Sequence, residues 1–123
     1  MGHVFVTATV TAKRSAKVEF LVDTGATNSL VSPSMARKLG LASTGIRDSV
    51  RLANGKSVRV PVHVGMLRID GRQAATMFWV GPCDQALLGV EALEGLGMMV
   101  DPIHGCLKPT RPYAKRLGGF GRR

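Results

Sequence analysis

The sequence is poor in cysteine, in acidic residues and in long apolar runs. Its two cysteines, Cys83 and Cys106, are too few for a disulfide framework, so both are expected to be free thiols. The longest apolar runs, Met77–Val80 and Leu96–Val100, fall far short of the ~20 residues that a membrane-spanning helix needs. The first residues also lack the basic and apolar segments of a secretory signal, so a cytoplasmic protein is expected.

Apolar residues make up 45% of the 123 positions, which is enough for a real core in one small domain. This composition excludes disordered, collagen-like and coiled-coil chains. Lys and Arg number 17 against 8 Asp and Glu, a net charge of +9. The last residues, 108–123, are rich in basic residues, Pro and Gly and contain no acidic residue. The sequence therefore predicts a folded domain over residues 1–108 and a flexible basic tail over residues 109–123.

Alternating apolar residues and closely spaced turns predict a mainly β domain. Val4–Ala12 and Val18–Val22 predict an opening hairpin. Asn54-Gly55 predicts a second hairpin with a type I′ turn, because both central residues of that turn need positive φ. The strands flanking that turn are predicted over Ser49–Ala53 and Lys56–Val60, and further strands over Val62–Ile69 and Arg72–Val80, joined at Asp70-Gly71, and over Ala86–Leu88, Met98–Asp101 and Cys106–Lys108.

Two short helices are predicted as well. Ser32-Pro33 combines a capping side chain with proline at the first helical position, and Gly40 is a typical helix stop. The second helix is predicted over Gly89–Gly95. Trp79 lies within a strand and is expected to belong to the core.

Asp23 is the residue that most indicates chemistry. It follows the apolar strand end Phe20–Val22 and precedes Thr24 and Gly25, whose small size permits close backbone approach. A carboxylate against an apolar strand costs free energy unless it is hydrogen-bonded or used. The structural alternative is an Asx-type turn, and the tripeptide alone does not decide between the two.

The segment Phe20–Val31 resembles the active-site segment of retropepsin-like aspartic proteases, in which apolar residues precede and follow Asp-Thr/Ser-Gly-Ala. The Asn54-Gly55 hairpin stands where that family has its flap. Val80-Gly-Pro82 then precedes Ala86-Leu-Leu-Gly89, where the family has two apolar residues and a glycine before a short helix. The resemblance runs from about residue 4 to residue 108. It implies a closed, barrel-like β-sheet with one or two short helices in a single-domain protomer.

Two positions depart from the retroviral members. Thr27 and Val90 stand where those proteins have an aspartate and an arginine that pair with each other. Losing both partners leaves no uncompensated charge, which costs less than losing one. The departure indicates a cellular or bacterial relative and leaves the candidate catalytic carboxylate unaffected.

The resemblance implies peptide-bond hydrolysis by a pair of carboxylates, one acting as base on water and the other as acid on the carbonyl oxygen. Asp23 is the only acidic residue followed by Thr/Ser-Gly, so the pair requires a homodimer with one Asp23 from each protomer. Two adjacent carboxylates do not both ionise readily, so activity is expected to favour mildly acidic pH. Thr24, Gly25 and Ala26 would support the active-site loop, with Thr24 bonding across the pair and Gly25 contacting substrate backbone.

The resemblance also implies a flap and a substrate pocket, and no cofactor is expected. Leu30 is also placed to shape a side-chain pocket, but core packing is the favoured interpretation for it. The histidines and cysteines lack the paired spacing of metal ligands, so no metal site is expected. The predicted flap consists of Leu52, Ala53, Asn54, Gly55, Lys56, Ser57 and Val58, and the predicted pocket of Thr27, Asn28, Gln85 and Leu87.

Two alternatives to an aspartic endopeptidase remain open. One is a noncatalytic module that keeps the retropepsin fold for peptide binding or dimerisation, because fold does not imply function. The other is a nucleic-acid binder that works through the basic tail, although no nucleic-acid-binding motif accompanies it. Asp23, Thr24 and Gly25 together favour the enzyme, since a binding module has no need to hold a carboxylate pair.

Overall fold

The computed structural model describes residues 2–112, which form a mainly β domain. The period-two apolar pattern of the chain accounts for most of its strands. In chain order the elements are β1 (Phe5–Thr11), β2 (Ser15–Val22), β3 (Ser29–Val31), α1 (Pro33–Leu39), β4 (Ala42–Arg51), β5 (Ser57–Ile69), β6 (Arg72–Val80), β7 (Ala86–Leu88), α2 (Val90–Leu96), β8 (Met98–Asp101) and β9 (Cys106–Pro109).

Six of the strands close into a barrel. The sheet order is β1-β2-β7-β3-β6-β5-β4, and β1 also pairs with β5, which joins the two ends of the six-stranded part. Strand β4 stays outside the closed ring as an edge strand on β5, and β8 pairs with β9 in a separate hairpin. The mainly β, barrel-like architecture with two short helices is therefore confirmed.

The core fills the barrel from one face of each strand. Phe20, Leu67, Phe78 and Leu88 are fully buried there, and Leu96 of α2 packs against them. Complete burial of a side chain of this size stabilises the fold by roughly 1.5–3 kcal/mol. The alternate residues of each strand face outward and form the outer surface of the barrel.

Each helix ends at a glycine and is capped by a distant arginine. Gly40 and Gly97 adopt the left-handed conformation, with φ of 67° and 68°. The Arg14 guanidinium donates hydrogen bonds to the carbonyls of Arg37 and Lys38 in the last turn of α1. Cations near these carbonyls stabilise a helix end.

Arg72, at the start of β6, acts in the same way on α2. Its guanidinium donates to the carbonyl oxygens of Leu96 and Gly97 at 3.1 and 3.2 Å. The two halves of the barrel therefore repeat one unit: a hairpin, a short strand and a short helix whose C-terminal end is capped by an arginine from that hairpin.

The prediction of a type I′ turn at Asn54-Gly55 is wrong, although the hairpin itself is present. Gly55 has a φ of 86°, whereas Asn54 does not have positive φ. Strand pairing ends at Arg51 and Ser57, and the Leu52 N–H donates to the Lys56 carbonyl at 2.7 Å. This geometry is typical of a three-residue loop that ends in a left-handed glycine. The pair in which both residues have positive φ is Asp70-Gly71, at 51° and 77°.

Three strand predictions need correction. Strand β3 was not predicted, because its three residues gain their partners only from β6 and β7. Strand β4 begins at Ala42, well before the predicted Ser49, and β5 runs unbroken from Ser57 to Ile69. Pro61 is tolerated inside β5 because it lies next to a register shift in the pairing with β4.

The chain remains packed on the barrel beyond residue 108. The Thr110 N–H donates to the Gly97 carbonyl at 2.8 Å, and Arg111 donates to the carbonyls of Glu94 and Gly95. The predicted basic tail, 109–123, thus begins with residues that contact α2, and its part from residue 113 lies outside the described residues. Within residues 2–112, no helix has the length and apolar character needed to cross a membrane.

Candidate active site

Asp23 lies where the chain leaves strand β2 and is half-buried. Its N–H donates to the Leu88 carbonyl on β7 at 2.9 Å, and the preceding Val22 N–H donates to the Val4 carbonyl at 2.8 Å. Two neighbouring segments of the barrel therefore hold the backbone on which the carboxylate stands.

The carboxylate is oriented by its own turn. The Gly25 N–H donates to Asp23 Oδ1 at 2.9 Å, and the Ala26 N–H donates to the Asp23 carbonyl at 3.1 Å. The Asx-type turn that the sequence allowed is therefore present. Asp23 Oδ2 receives no donor from residues 2–112, and Thr24 and Gly25 are exposed beside it. The turn presents one carboxylate oxygen to the surface.

The start of α2 locks the loop that follows Asp23. The N–H groups of Val90 and Glu91 donate to the carbonyls of Ala26 and Thr27 at 2.8 and 3.0 Å. These free N–H groups of a first helical turn would otherwise lack partners. The loop therefore satisfies the helix end, and the helix fixes the loop.

Ser29 and Gly89 also hold the Asp23 loop against the start of α2, although the predicted site residues did not include them. The Ser29 hydroxyl, fully buried, accepts a hydrogen bond from the Gly89 N–H at 3.1 Å. A Cβ at position 89 would lie 2.5 Å from the Asn28 carbonyl oxygen, so only glycine fits there. The Ala86-Leu-Leu-Gly89 motif marked Gly89 in the sequence, but nothing local connected it to Ser29.

The predicted pocket residues occupy different environments. Thr27 is exposed and Leu87 is half-buried, whereas Asn28 is only 5% exposed. The Gln85 amide nitrogen donates to the carbonyls of Glu19 and Ala86 at 3.0 and 3.3 Å. Their roles in a substrate pocket stay predictions.

A row of apolar side chains crosses the outer face of the barrel next to Asp23. Leu21 pairs with Leu87, Leu87 with Leu30, and Leu30 with Trp79, so all four lie on the face opposite the core. We call these four residues the outer apolar row. All are half-buried.

The outer apolar row corrects the prediction that Leu30 and Trp79 belong to the core. Neither residue is part of the buried cluster, because the alternate positions on their strands, Val31 and Val80, take the inward face. The Trp79 indole N–H instead donates to the Asp48 carboxylate on β4 at 2.8 Å.

The predicted flap residues, 52–58, are all exposed and extend the β4–β5 hairpin away from the barrel. The Asn54 side chain accepts a hydrogen bond from the Lys56 N–H at 3.0 Å, which stabilises the loop. Movement of this hairpin over a substrate stays a prediction.

A surface depression of about 320 Å³ is lined in part by Lys17, Glu19, Cys83 and Gln85, and Asp23 is not part of its lining. Both cysteines are free thiols. Within residues 2–112, no three His, Cys, Asp or Glu side chains are close enough to hold a metal ion together.

Comparison with known proteins agrees with this arrangement. The family described as gag-polyprotein putative aspartyl protease matches residues 8–95, from β1 to α2. A Sinorhizobium sp. protein described as an uncharacterized protein in the cobV 5′ region is 36% identical over 104 residues. That match covers 80% of this chain and 43% of the relative, so the chain spans less than half of the relative's length. The chain belongs to the gag-polyprotein, retropepsin-like aspartyl protease family.

Proposed function

We propose that the protein is an aspartic endopeptidase that acts as a homodimer, with one Asp23 from each protomer in a shared site. The observation that carries the proposal is the turn at Asp23-Thr24-Gly25. Within this turn Oδ1 accepts the Gly25 N–H, whereas Oδ2 has no donor from residues 2–112. One chain supplies a single such turn, and the chemistry needs two carboxylates.

In the proposed mechanism the two carboxylates share one proton and hold a water molecule between them. The ionised carboxylate takes a proton from the water as its oxygen attacks the peptide carbonyl carbon, and the protonated carboxylate donates its proton to the carbonyl oxygen. Collapse of the tetrahedral intermediate breaks the C–N bond, and a proton is returned to the leaving amine. Mildly acidic pH favours the state in which one proton is shared.

The surroundings of Asp23 support this role. Thr24 and Gly25 are exposed and next to the carboxylate, where a second protomer would bring its own turn. Contacts of Ala26 and Thr27 with α2 hold the loop rigid, which preserves the geometry that acid–base catalysis requires. The outer apolar row offers a surface for substrate side chains, and the hairpin at residues 52–58 would cover them and exclude water.

The test compares the wild-type protein with Asp23→Asn on a mixed peptide library, from about pH 4 to pH 7. Asparagine keeps the oxygen that accepts the Gly25 N–H bond, so the variant is expected to fold and dimerise but not to cleave. Asp70→Asn, an equal charge change in an exposed turn, is the matched control and should keep full activity.

Cleavage by Asp23→Asn would contradict the mechanism. Peptide binding without cleavage by a folded wild-type dimer would favour the noncatalytic peptide-binding module instead.

A further inference from the structure

The β4–β5 hairpin has two chemically different faces. Its pairing places Asp48 opposite Val60 and Val50 opposite Val58, so these four residues share one face. The alternate positions carry Arg47, Arg51 and Arg59 on the other face, as the same pairing requires. Over the paired residues 47–51 and 57–61, one face of the hairpin is therefore basic, and the other is apolar with a single carboxylate.

The apolar face of the hairpin continues into the outer apolar row. Val60 is followed on that face by Val62, which is only 2% exposed and pairs with Trp79. The Val60 and Leu30 side chains both lie within 4 Å of the position that a Cβ at Gly81 would take, at 3.9 and 3.8 Å. The hairpin and the barrel thus form one apolar wall beside the candidate active site.

Asp48 is the acidic group of this wall. Its carboxylate is half-buried and accepts the Trp79 indole N–H through Oδ2 at 2.8 Å. No Lys, Arg or His of residues 2–112 forms an ion pair with it. A partly desolvated carboxylate bonded through one oxygen still lacks a cation to offset the free energy of its burial.

We propose that Asp48 binds a lysine or arginine side chain of the peptide that lies between the hairpin and the outer apolar row. Lysine and arginine have long aliphatic stems and charged ends, which match an apolar wall with a carboxylate at its edge. The proposal rests on the proposed function, because it assigns a substrate preference to the same site. Asp48 is thus a specificity-determining residue, with Oδ1 available to the incoming cation.

The positive charge of the whole chain excludes one other cause of a preference for basic peptides. A net charge of +9 repels cationic peptides at long range, so a preference for a basic residue cannot arise from the general field of the protein. It must come from a local carboxylate. The preference should weaken with added salt, as expected for a partly exposed ion pair.

Trp79 provides a readout that does not depend on catalysis, because it is the only tryptophan and it touches the carboxylate. We would titrate the Asp23→Asn protein with short apolar peptides in which one arginine is placed at each position in turn. Matched peptides carry citrulline, which keeps the shape and lacks the charge. At one position, arginine should bind at least about tenfold more tightly than citrulline and shift the Trp79 emission.

Asp48→Asn in the same background should remove the difference between arginine and citrulline, and Asp48→Glu should partly restore it. Asparagine can still accept the Trp79 N–H, so this variant is expected to fold. Asp70→Asn is the charge-matched control and should leave the difference intact. Two results with Asp48 intact would already overturn the proposal. One is equal binding of arginine and citrulline at every position, and the other is no shift of the Trp79 emission with any peptide.

Cleavage by the wild-type protein separates this proposal from the proposed function. Binding of arginine peptides through Asp48 without any cleavage by the wild type would contradict the endopeptidase and keep the assignment of Asp48. Cleavage that depends on Asp23 but shows no preference for a basic residue would keep the endopeptidase and overturn the assignment.

Discussion

At the scale of single residues, the Asp23 loop depends on a glycine far away in the chain. A Cβ at Gly89 would lie 2.5 Å from the Asn28 carbonyl oxygen and 2.9 Å from that of Ala26, and both are backbone atoms that cannot simply rotate away. We expect Gly89→Ala to destabilise the protein by about 1–3 kcal/mol and to reduce cleavage by displacing the loop. Urea unfolding and the peptide assay measure the two effects.

Gly81→Ala is the matched control for this prediction, because a Cβ there meets Leu30 and Val60 only at ordinary contact distances of 3.8 and 3.9 Å. Equal stability of the two variants would show that the loop does not depend on close packing against Gly89.

The two cysteines should react at different rates. Burial raises the pKa of the Cys83 thiol, and the neighbouring Asp84 carboxylate raises it further, whereas Cys106 is exposed. A raised pKa leaves less thiolate at a given pH, and the thiolate is the reactive form. Iodoacetamide should therefore modify Cys106 first, and the rate at Cys83 should increase as pH rises. Mass spectrometry of Cys83→Ser and Cys106→Ser identifies each phase, and fast modification of Cys83 at neutral pH would contradict the prediction.

At the scale of elements, Arg72 ties β6 to α2 and to the segment after β9. Its guanidinium donates to the carbonyls of Leu96, Gly97 and Arg111. Arg72→Met keeps the aliphatic stem and loses these bonds, so we expect a loss of about 1.5–3 kcal/mol in unfolding free energy. Faster amide hydrogen exchange in α2 should accompany it. Arg68→Met, an exposed change on β5, should have little effect, and an equal loss in both variants would refute the capping role.

The β8–β9 hairpin should weaken in acid. A hydrogen bond from His104 lowers the pKa of Asp101 below its ordinary value of 3.8, and the N–H groups of His104 and Ile103 and the charge of Lys108 lower it further. Since the pKa of Asp101 is lower in the folded protein, the ionised carboxylate stabilises the hairpin fully above about pH 3.8. This stabilisation is lost as the pH falls through the lowered pKa.

Amide exchange at Gly105, whose N–H donates to the Asp101 carbonyl at 2.9 Å, reports on this hairpin. Protection should fall with acidification in the wild type and be lower at neutral pH in Asp101→Asn. Protection that does not change between these conditions would show that the carboxylate does not hold the hairpin.

The elements that the sequence predicted correctly are those with local signals. Helix α1 has its predicted cap at Ser32 and its predicted stop at Gly40, and α2 ends at Leu96, one residue past the predicted Gly95. Strand β3 was missed because three residues are too few for a period, and its partners come from far along the chain. The Asn-Gly pair predicts the wrong turn type for residues 53–55, because it does not reveal where strand pairing ends.

In the candidate site, too, the sequence reveals adjacent residues but not contacts between distant ones. Asp23, Thr24 and Gly25 are adjacent, so their motif is visible in the sequence. The bond from Gly89 to Ser29 and the bond from Trp79 to Asp48 join residues that are distant in the chain. Alternation alone does not show which face of β6 is the inner one, so the sequence wrongly predicts Trp79 in the core.

At the scale of the whole molecule, the proposed function requires that one chain supply half of a catalytic pair. Its single Asp23 turn lies at the end of β2 in a closed barrel, beside the outer apolar row. The match covers 43% of the Sinorhizobium relative, so the activity of the whole protein remains a proposal as well. The proposed mechanism requires the assembly of two chains for turnover.

The most direct test of the shared pair is a mixing experiment. Wild-type protein would be refolded together with a threefold excess of Asp23→Asn, and cleavage per wild-type chain would be measured. If each site needs two Asp23 carboxylates, random pairing leaves about a quarter of the wild-type chains in active dimers, so activity should fall about fourfold. Activity that is unchanged by the excess variant would show that one chain cleaves alone, and would contradict the shared pair of Asp23 carboxylates.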